Sequence, residues 1–116
     1  MSKPEILRAN VAEMRKRLAR EWQHLSALAF THGTLELRFY APRGTDRQWP
    51  HERDELYIVL SGRGSFVADG ERCEFGPGDA LFAPAGSIHR FEDFTDDLDL
   101  WVIFYGPKGG EAADAG

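Results

Sequence analysis

His51 and Glu55 stand four residues apart on a stretch that reads as extended chain, with Tyr57 two residues further on. Side chains alternate along a strand, so residues of one parity project to one face and bring imidazole and carboxylate together. His89 follows the turn signal Pro84-Ala85-Gly86, with Phe91 on its own parity, and a hairpin or barrel closure brings it opposite His51. Two imidazoles and one carboxylate with open positions left over suit non-haem iron, and equally manganese, nickel or zinc. The alternative is a barrel without metal that keeps the three residues in a buried hydrogen-bonded network. A carboxylate taken into an apolar barrel without a cation or donor costs several kcal/mol or stays protonated, which argues for a charge partner.

The elements that must position these residues are mostly strands. From Leu35 to Tyr40, apolar Leu35, Leu37 and Phe39 alternate with Glu36, Arg38 and Tyr40, the period of a half-buried strand. Turn signals then recur at short intervals: Pro42 with Gly44, Ser61 to Gly64, Asp69-Gly70, Gly76-Pro77-Gly78 and Pro84 to Gly86. Between them lie short runs rich in Val, Ile, Phe, Tyr and Trp: Leu56 to Leu60, Gly64 to Ala68, Arg72 to Phe75, Ala80 to Ala83, Ser87 to Glu92 and Leu98 to Tyr105. Asp69-Gly70 suits a tight hairpin turn. The body, residues 26–107, is expected to be an all-β sandwich or barrel.

Ahead of it, Leu7, Val11, Met14, Leu18, Trp22 and Leu25 recur at steps of three and four, which predicts an amphipathic helix over residues 1–25, capped by Ser2 with Glu5 and with Pro4 in its first turn. Its apolar stripe is expected to cover the barrel. His24 and His32 fall at the helix end and in the following loop and receive no function. Residues 108–116 lack a large apolar anchor and are expected to fray.

With 116 residues, a single domain is expected. An excess of acids over bases, net charge -5, disfavours nucleic acid as a partner. No apolar run approaches a membrane span, and no secretory signal is visible, so the expected address is cytoplasmic. Cys73 is the only cysteine, which excludes an intrachain disulfide framework and a Cys-rich zinc cluster. The acidic stretch from Glu92 to Asp99 reads as a solvated face.

The stretch from Gly44 to Asp93 resembles the two motifs of the cupin superfamily. The first motif runs Gly, His-x-His, three or four residues, Glu, six residues, Gly, and His51, Glu55 and Gly62 match it in register. The second runs Gly, five residues, Pro-x-Gly, two residues, His, three residues, Asn, and Gly78, Pro84, Gly86 and His89 match it, with Asp93 in place of the Asn. The resemblance implies a double-stranded β-helix, the cupin jelly-roll barrel, with a divalent transition metal (Fe, Mn, Ni or Zn) held at its mouth by His51, Glu55 and His89. Trp49 takes the place of the first motif histidine. A bulge near Pro50 would turn Gln48 inward as an oxygen ligand or a hydrogen-bond donor. Trp49, Tyr57 and Phe91 are candidates for contact with a substrate, against ordinary barrel packing.

The resemblance implies a metal-dependent oxygenase, isomerase or lyase acting on a small organic molecule. The competing reading is a non-enzymatic small-molecule-binding or metal-free barrel. A homodimer is expected in either case.

Overall fold

The computed structural model describes residues 6–20, 25–46, 48 and 50–112. Helix α1, Val11–Arg20, is followed by eight strands: β1 Ser26–His32, β2 Leu35–Tyr40, β3 Asp54–Ser61, β4 Gly64–Ala68, β5 Glu71–Phe75, β6 Ala80–Ala83, β7 His89–Glu92 and β8 Asp99–Tyr105. They form two antiparallel sheets, one ordered β1-β2-β8-β3-β6 and the other β5-β4-β7. The expected all-β jelly roll with an N-terminal helix is the architecture found. No helix among the described residues is long and apolar enough to cross a membrane.

The helix is shorter than the stripe predicted. Asn10 starts it: its side-chain Oδ1 accepts from the Glu13 N–H at 3.1 Å and its carbonyl from the Met14 N–H at 3.0 Å, the bonding of an N-cap. Leu7 precedes that cap and is exposed, so the periodicity runs past the element. The Ser2, Pro4, Glu5, Trp22 and His24 assignments lie outside the described residues. A second difference is β1, where a loop was expected; its alternation is broken by a register shift between Leu28 and Phe30, and His32 is its exposed last residue. A third is residues 108–112, which are tied down rather than frayed: the Gly109 N–H donates to the Glu52 carbonyl at 2.7 Å and the Glu111 N–H to Asp54 Oδ2 at 2.8 Å, while residues 113–116 lie outside the described residues.

Tight turns set the registers. Between β4 and β5, Asp69 and Gly70 adopt φ of 49° and 85°, so both central residues of a two-residue loop are left-handed, as the Asp-Gly pair predicts. Gly62, with φ 92°, passes so close to the chain that a Cβ there would stand 2.6 Å from Leu98 Cα.

Two clusters make the core. Between the sheets lie Tyr57, Val59, Phe66, Phe75, Ala83, Phe91, Leu98, Leu100 and Val102. Under the helix, on the outer face of the larger sheet, Met14 packs with Ala27, Phe39 and Ala41, and Trp101 meets Phe39 edge-on at 5.7 Å. Phe39 and Trp101 are paired across β2 and β8, so that face is the outer one. The inner face of β2 therefore carries Glu36, Arg38 and Tyr40, all half-buried. The strand is apolar toward the helix and charged toward the barrel interior.

Candidate metal centre

Each of the three residues singled out by type and spacing comes from a different part of the barrel. Glu55 is the second residue of β3, paired with Phe104 of β8 on one side and Ala83 of β6 on the other. His89 opens β7 in the smaller sheet. His51 lies in the turn before β3, where its carbonyl accepts from the Gly86 N–H at 2.8 Å and its ring meets Phe104 edge-on at 5.1 Å. His89 Nε2 lies 3.1 Å from Glu55 Oε1 and His51 Nε2 lies 3.7 Å from it. One ligand atom from each of the three falls within 4.8 Å of the others.

The electrostatics of this cluster are unusual for a plain core. Glu55 is 2% exposed, and its Oε1 is buried with no hydrogen-bond partner of acceptable geometry among the described residues. The 3.1 Å approach of His89 is thus a contact of charge without the alignment of a bond. His89 is held from behind, because Nδ1 lies 3.2 Å from the Ser87 carbonyl, which can only accept. Ser87 Oγ lies at the same 3.2 Å and can serve either tautomer; the one with the Nδ1 proton on the carbonyl leaves the Nε2 lone pair toward Glu55. Burial pushes the His89 imidazole toward its neutral form, but Glu55, the Ser87 carbonyl and the charge of Asp46 outweigh it, and its pKa lies above the ordinary histidine value.

A buried carboxylate that sequence reasoning did not single out organises the wall behind. Asp46 is 8% exposed and accepts from the Phe91 N–H at 2.8 Å, from Gln48 Nε2 at 2.6 Å and from the Tyr40 hydroxyl. These bonds orient the Gln48 amide, whose Oε1 in turn accepts from the Tyr57 hydroxyl at 2.8 Å. Gln48 is thus a hydrogen-bond donor to Asp46, with its oxygen occupied by Tyr57. Tyr57 is fully buried, its oxygen 3.1 Å from His89 Nε2; burial, then the charge of Glu55, push its pKa well up. Phe91, expected to contact a substrate, packs instead against Tyr57, Phe66 and Phe75 at centroid distances of 5.0, 5.1 and 5.4 Å and does not line the cavity. Its parity was read correctly, but that face of β7 passes from mouth to core within two residues. Trp49 lies outside the described residues.

The cluster opens into a cavity of about 560 Å³ lined by His51, Glu55, Tyr57, Gln48 and Phe104 on one side and by Glu36, Arg38 and Arg53 on the other. Glu36 and Arg38 were missed because charged residues alternating on a strand read as a solvated face, and Arg53 because it lies in the bend before β3. The strand register gives the signal that one strand alone lacks: Glu36, Phe104 and Glu55 form one row across β2, β8 and β3, and Arg38, Val102 and Tyr57 form the next.

Compared with known families, residues 37–104 match the cupin domain, Cupin_2, over more than half of the chain. The chain belongs to the cupin family. An uncharacterised protein of Streptomyces coelicolor is 38% identical to this cupin over 64 residues, 55% of this chain and 61% of that protein. The match thus spans less than two-thirds of the relative's length. Among solved structures, a cupin 2 conserved barrel domain protein from Salinispora arenicola superposes with a TM-score of 0.59 at 24% identity, covering 70% of this chain and 74% of the other. The DMSP lyase DddQ of Ruegeria pomeroyi superposes with a TM-score of 0.61 at 23% identity, covering 70% of this chain and 46% of that one. At these identities the likeness is one of fold.

The donor set fits a divalent transition metal. Two imidazole nitrogens and one carboxylate oxygen face a common point, one histidine has its far nitrogen fixed by a carbonyl, and the oxygen has no other hydrogen-bond partner among the described residues.

Proposed function

We propose that this cupin holds one divalent transition metal, Fe, Mn, Ni or Zn, through His51, Glu55 and His89, and that the cavity presents a small organic molecule to it. The observation that carries the reading is the buried Glu55 Oε1, without a hydrogen-bond partner among the described residues and with two imidazole nitrogens at 3.1 and 3.7 Å. When bound, the metal would supply Lewis acidity or redox capacity for an oxygenase, isomerase or lyase reaction. The protein's own part is positional. Ser87 fixes the His89 ring, and Asp46 fixes Gln48, which draws the Tyr57 proton away from His89 Nε2. Phe104 and Val102 line the cavity with apolar surface, and His51, 37% exposed, stands at the solvent edge where a ligand enters.

A second reading, a metal-free binding barrel, draws on one observation: a protonated His89 at 3.1 Å from Glu55 is itself a charge partner. Elemental analysis separates the two. Protein purified without chelators or a His-tag is expected to carry near-stoichiometric metal that disappears in the His51→Ala, His89→Ala double variant. Less than about a tenth of an equivalent, not restored by reconstitution, overturns the metal reading in favour of the second.

A further inference from the structure

We propose that Arg38 and Arg53 form an anion subsite opposite the metal centre, so that the ligand of this cavity is a small dicarboxylic acid, one end on the metal and one on the arginines. The proposal deepens the metal reading and rests on it for one of the ligand's two ends.

The charges on this wall of the cavity do not match. Glu36 Oε2 pairs with Arg38 Nη1 at 3.2 Å and Glu36 Oε1 with Arg53 Nη2 at 3.1 Å, so one carboxylate is shared by two guanidiniums. All three side chains line the cavity and are roughly three-quarters withdrawn from solvent, at 26–31% exposure. A structural ion pair needs one arginine. Glu55, the buried carboxylate of the lining, is committed to the metal, so the second arginine leaves a positive charge inside a barrel, an arrangement that carries a desolvation penalty unless something negative joins it. Glu52, also on the lining, does not serve: it is exposed and faces Lys108 at 3.7 Å.

The donors are also held ready. Arg38 Nε donates to Ser26 Oγ at 3.0 Å, and Arg53 Nη1 donates to the Thr34 carbonyl at 2.6 Å, with its guanidinium 5.5 Å from the Phe104 ring centroid. A guanidinium has five N–H donors, and the bonds among the described residues use two on each arginine. The remaining donors form the planar fork that matches a carboxylate. The single excess charge fits a carboxylate, with one negative charge, better than a phosphate with nearly two.

The strand register sets the ligand's length. Glu36 and Glu55 lie in one row with β8 between them, so two strand spacings, about 10 Å, separate their backbones. Phe104 stands between them in that row and Val102 in the next. A metal–oxygen contact, a short hydrocarbon spacer over these apolar side chains, and a salt bridge fill such a span.

The test is calorimetric titration of zinc-loaded protein with oxalate, succinate and adipate, with succinamide and inorganic phosphate as controls, and with zinc content measured on every sample. At least one dicarboxylate is expected to bind, with succinamide and phosphate at least tenfold weaker. Arg38→Met with Arg53→Met is expected to weaken that dicarboxylate at least tenfold without changing zinc content. Glu36→Gln, which frees both arginines, is expected to tighten it, a change that damage to the fold would not produce. If the double variant does not fold, Arg38→Lys, which keeps the charge and loses the fork, replaces it with the same direction of effect. No dicarboxylate bound, phosphate bound equally well, or affinity unmoved by the arginine and Glu36 substitutions each overturns the subsite. Failure to take up zinc sinks the metal reading instead; dicarboxylate binding to the metal-free protein, dependent on Arg38 and Arg53, then still upholds the subsite, and its absence overturns it.

Discussion

Glu55→Gln isolates the charge at the centre of the cluster, because the amide keeps the shape of the acid and leaves the packing alone. In the metal-free protein, Glu55 Oε1 is buried without a hydrogen bond from any described residue, and a group in that state costs about 1–3 kcal/mol, more when charged. The amide nitrogen of the variant, placed where Oε1 lies 3.1 Å from His89 Nε2, can donate to that lone pair. The metal-free variant is therefore expected to be about 1–3 kcal/mol more stable than the metal-free wild type. For a domain of about this size each kcal/mol moves Tm by roughly 4–8 °C, so the melt is expected to rise by about 4–24 °C. Zinc reverses the order. At about a thousandfold excess over Kd it adds about 4 kcal/mol to the wild type and little to the variant, which has lost a ligand. The assay is thermal unfolding of chelator-treated protein at about pH 8.5, where His89 is less protonated than at neutrality, with and without added zinc. A metal-free variant that loses about 3–5 kcal/mol, as when one partner is removed from a buried salt bridge, would refute the reasoning: Glu55 and His89 would then be a satisfied ion pair, and the unpartnered oxygen would no longer argue for a cation.

Two further substitutions test the frame around the centre. Gly62→Ala places a side chain at φ 92° with its Cβ 2.6 Å from Leu98 Cα, so it is expected to lower stability by about 1–3 kcal/mol from the backbone alone, and by more from the clash; an unchanged denaturant midpoint would contradict this. Tyr40 is half-buried and donates to Asp46, and the desolvation and that hydrogen bond together hold its pKa above the ordinary tyrosine value. Its folded pKa therefore exceeds the unfolded one, and the stability it lends is complete below about pH 10 and declines as the pH rises past that point. Tyr40→Phe is expected to cost about 1.5–3 kcal/mol at pH 7 and to flatten the alkaline decline, read from urea midpoints at pH 7 and 10.5; an equally steep decline in the variant would count against the assignment.

The strands were legible because Gly, Pro and Asp-Gly punctuate them and because aromatic and β-branched residues fill them; β2, β4 and β6 fall on the predicted runs. β1 was not, since Ser-Ala-Leu-Ala-Phe-Thr-His carries two alanines and a register shift that breaks its period. The helix was overextended because an apolar stripe has no stop of its own, and the Asn10 cap was not weighed against Ser2. At the site, His51, Glu55 and His89 were legible from type and spacing, since residues of one parity share a face and a turn sets the next strand opposite. Asp46 was not, because its partners Tyr40, Gln48 and Phe91 come from three segments that only the closed barrel brings together. Glu36 and Arg38 looked like solvent-facing charge for a related reason: which face of β2 meets water depends on where α1 docks, and that is a tertiary fact; Arg53, in the bend before β3, is brought to them only by the closed barrel.

Asp54, one residue from Glu55 and 5% exposed, accepts from the Ala85 N–H with Oδ1 and from the Glu111 N–H with Oδ2. Beside it, the Gly86 N–H donates to the His51 carbonyl and the Gly109 N–H to the Glu52 carbonyl. The loops that carry the two histidine-bearing motifs and the segment after Pro107 are therefore laced to one another by main chain, independently of any ligand. An ion entering such a cage has no scaffold to assemble, so little ordering entropy is set against its coordination energy. On the metal reading, filling and emptying become matters of ligand exchange at the mouth, and the backbones of the loaded and the empty protein are expected to coincide.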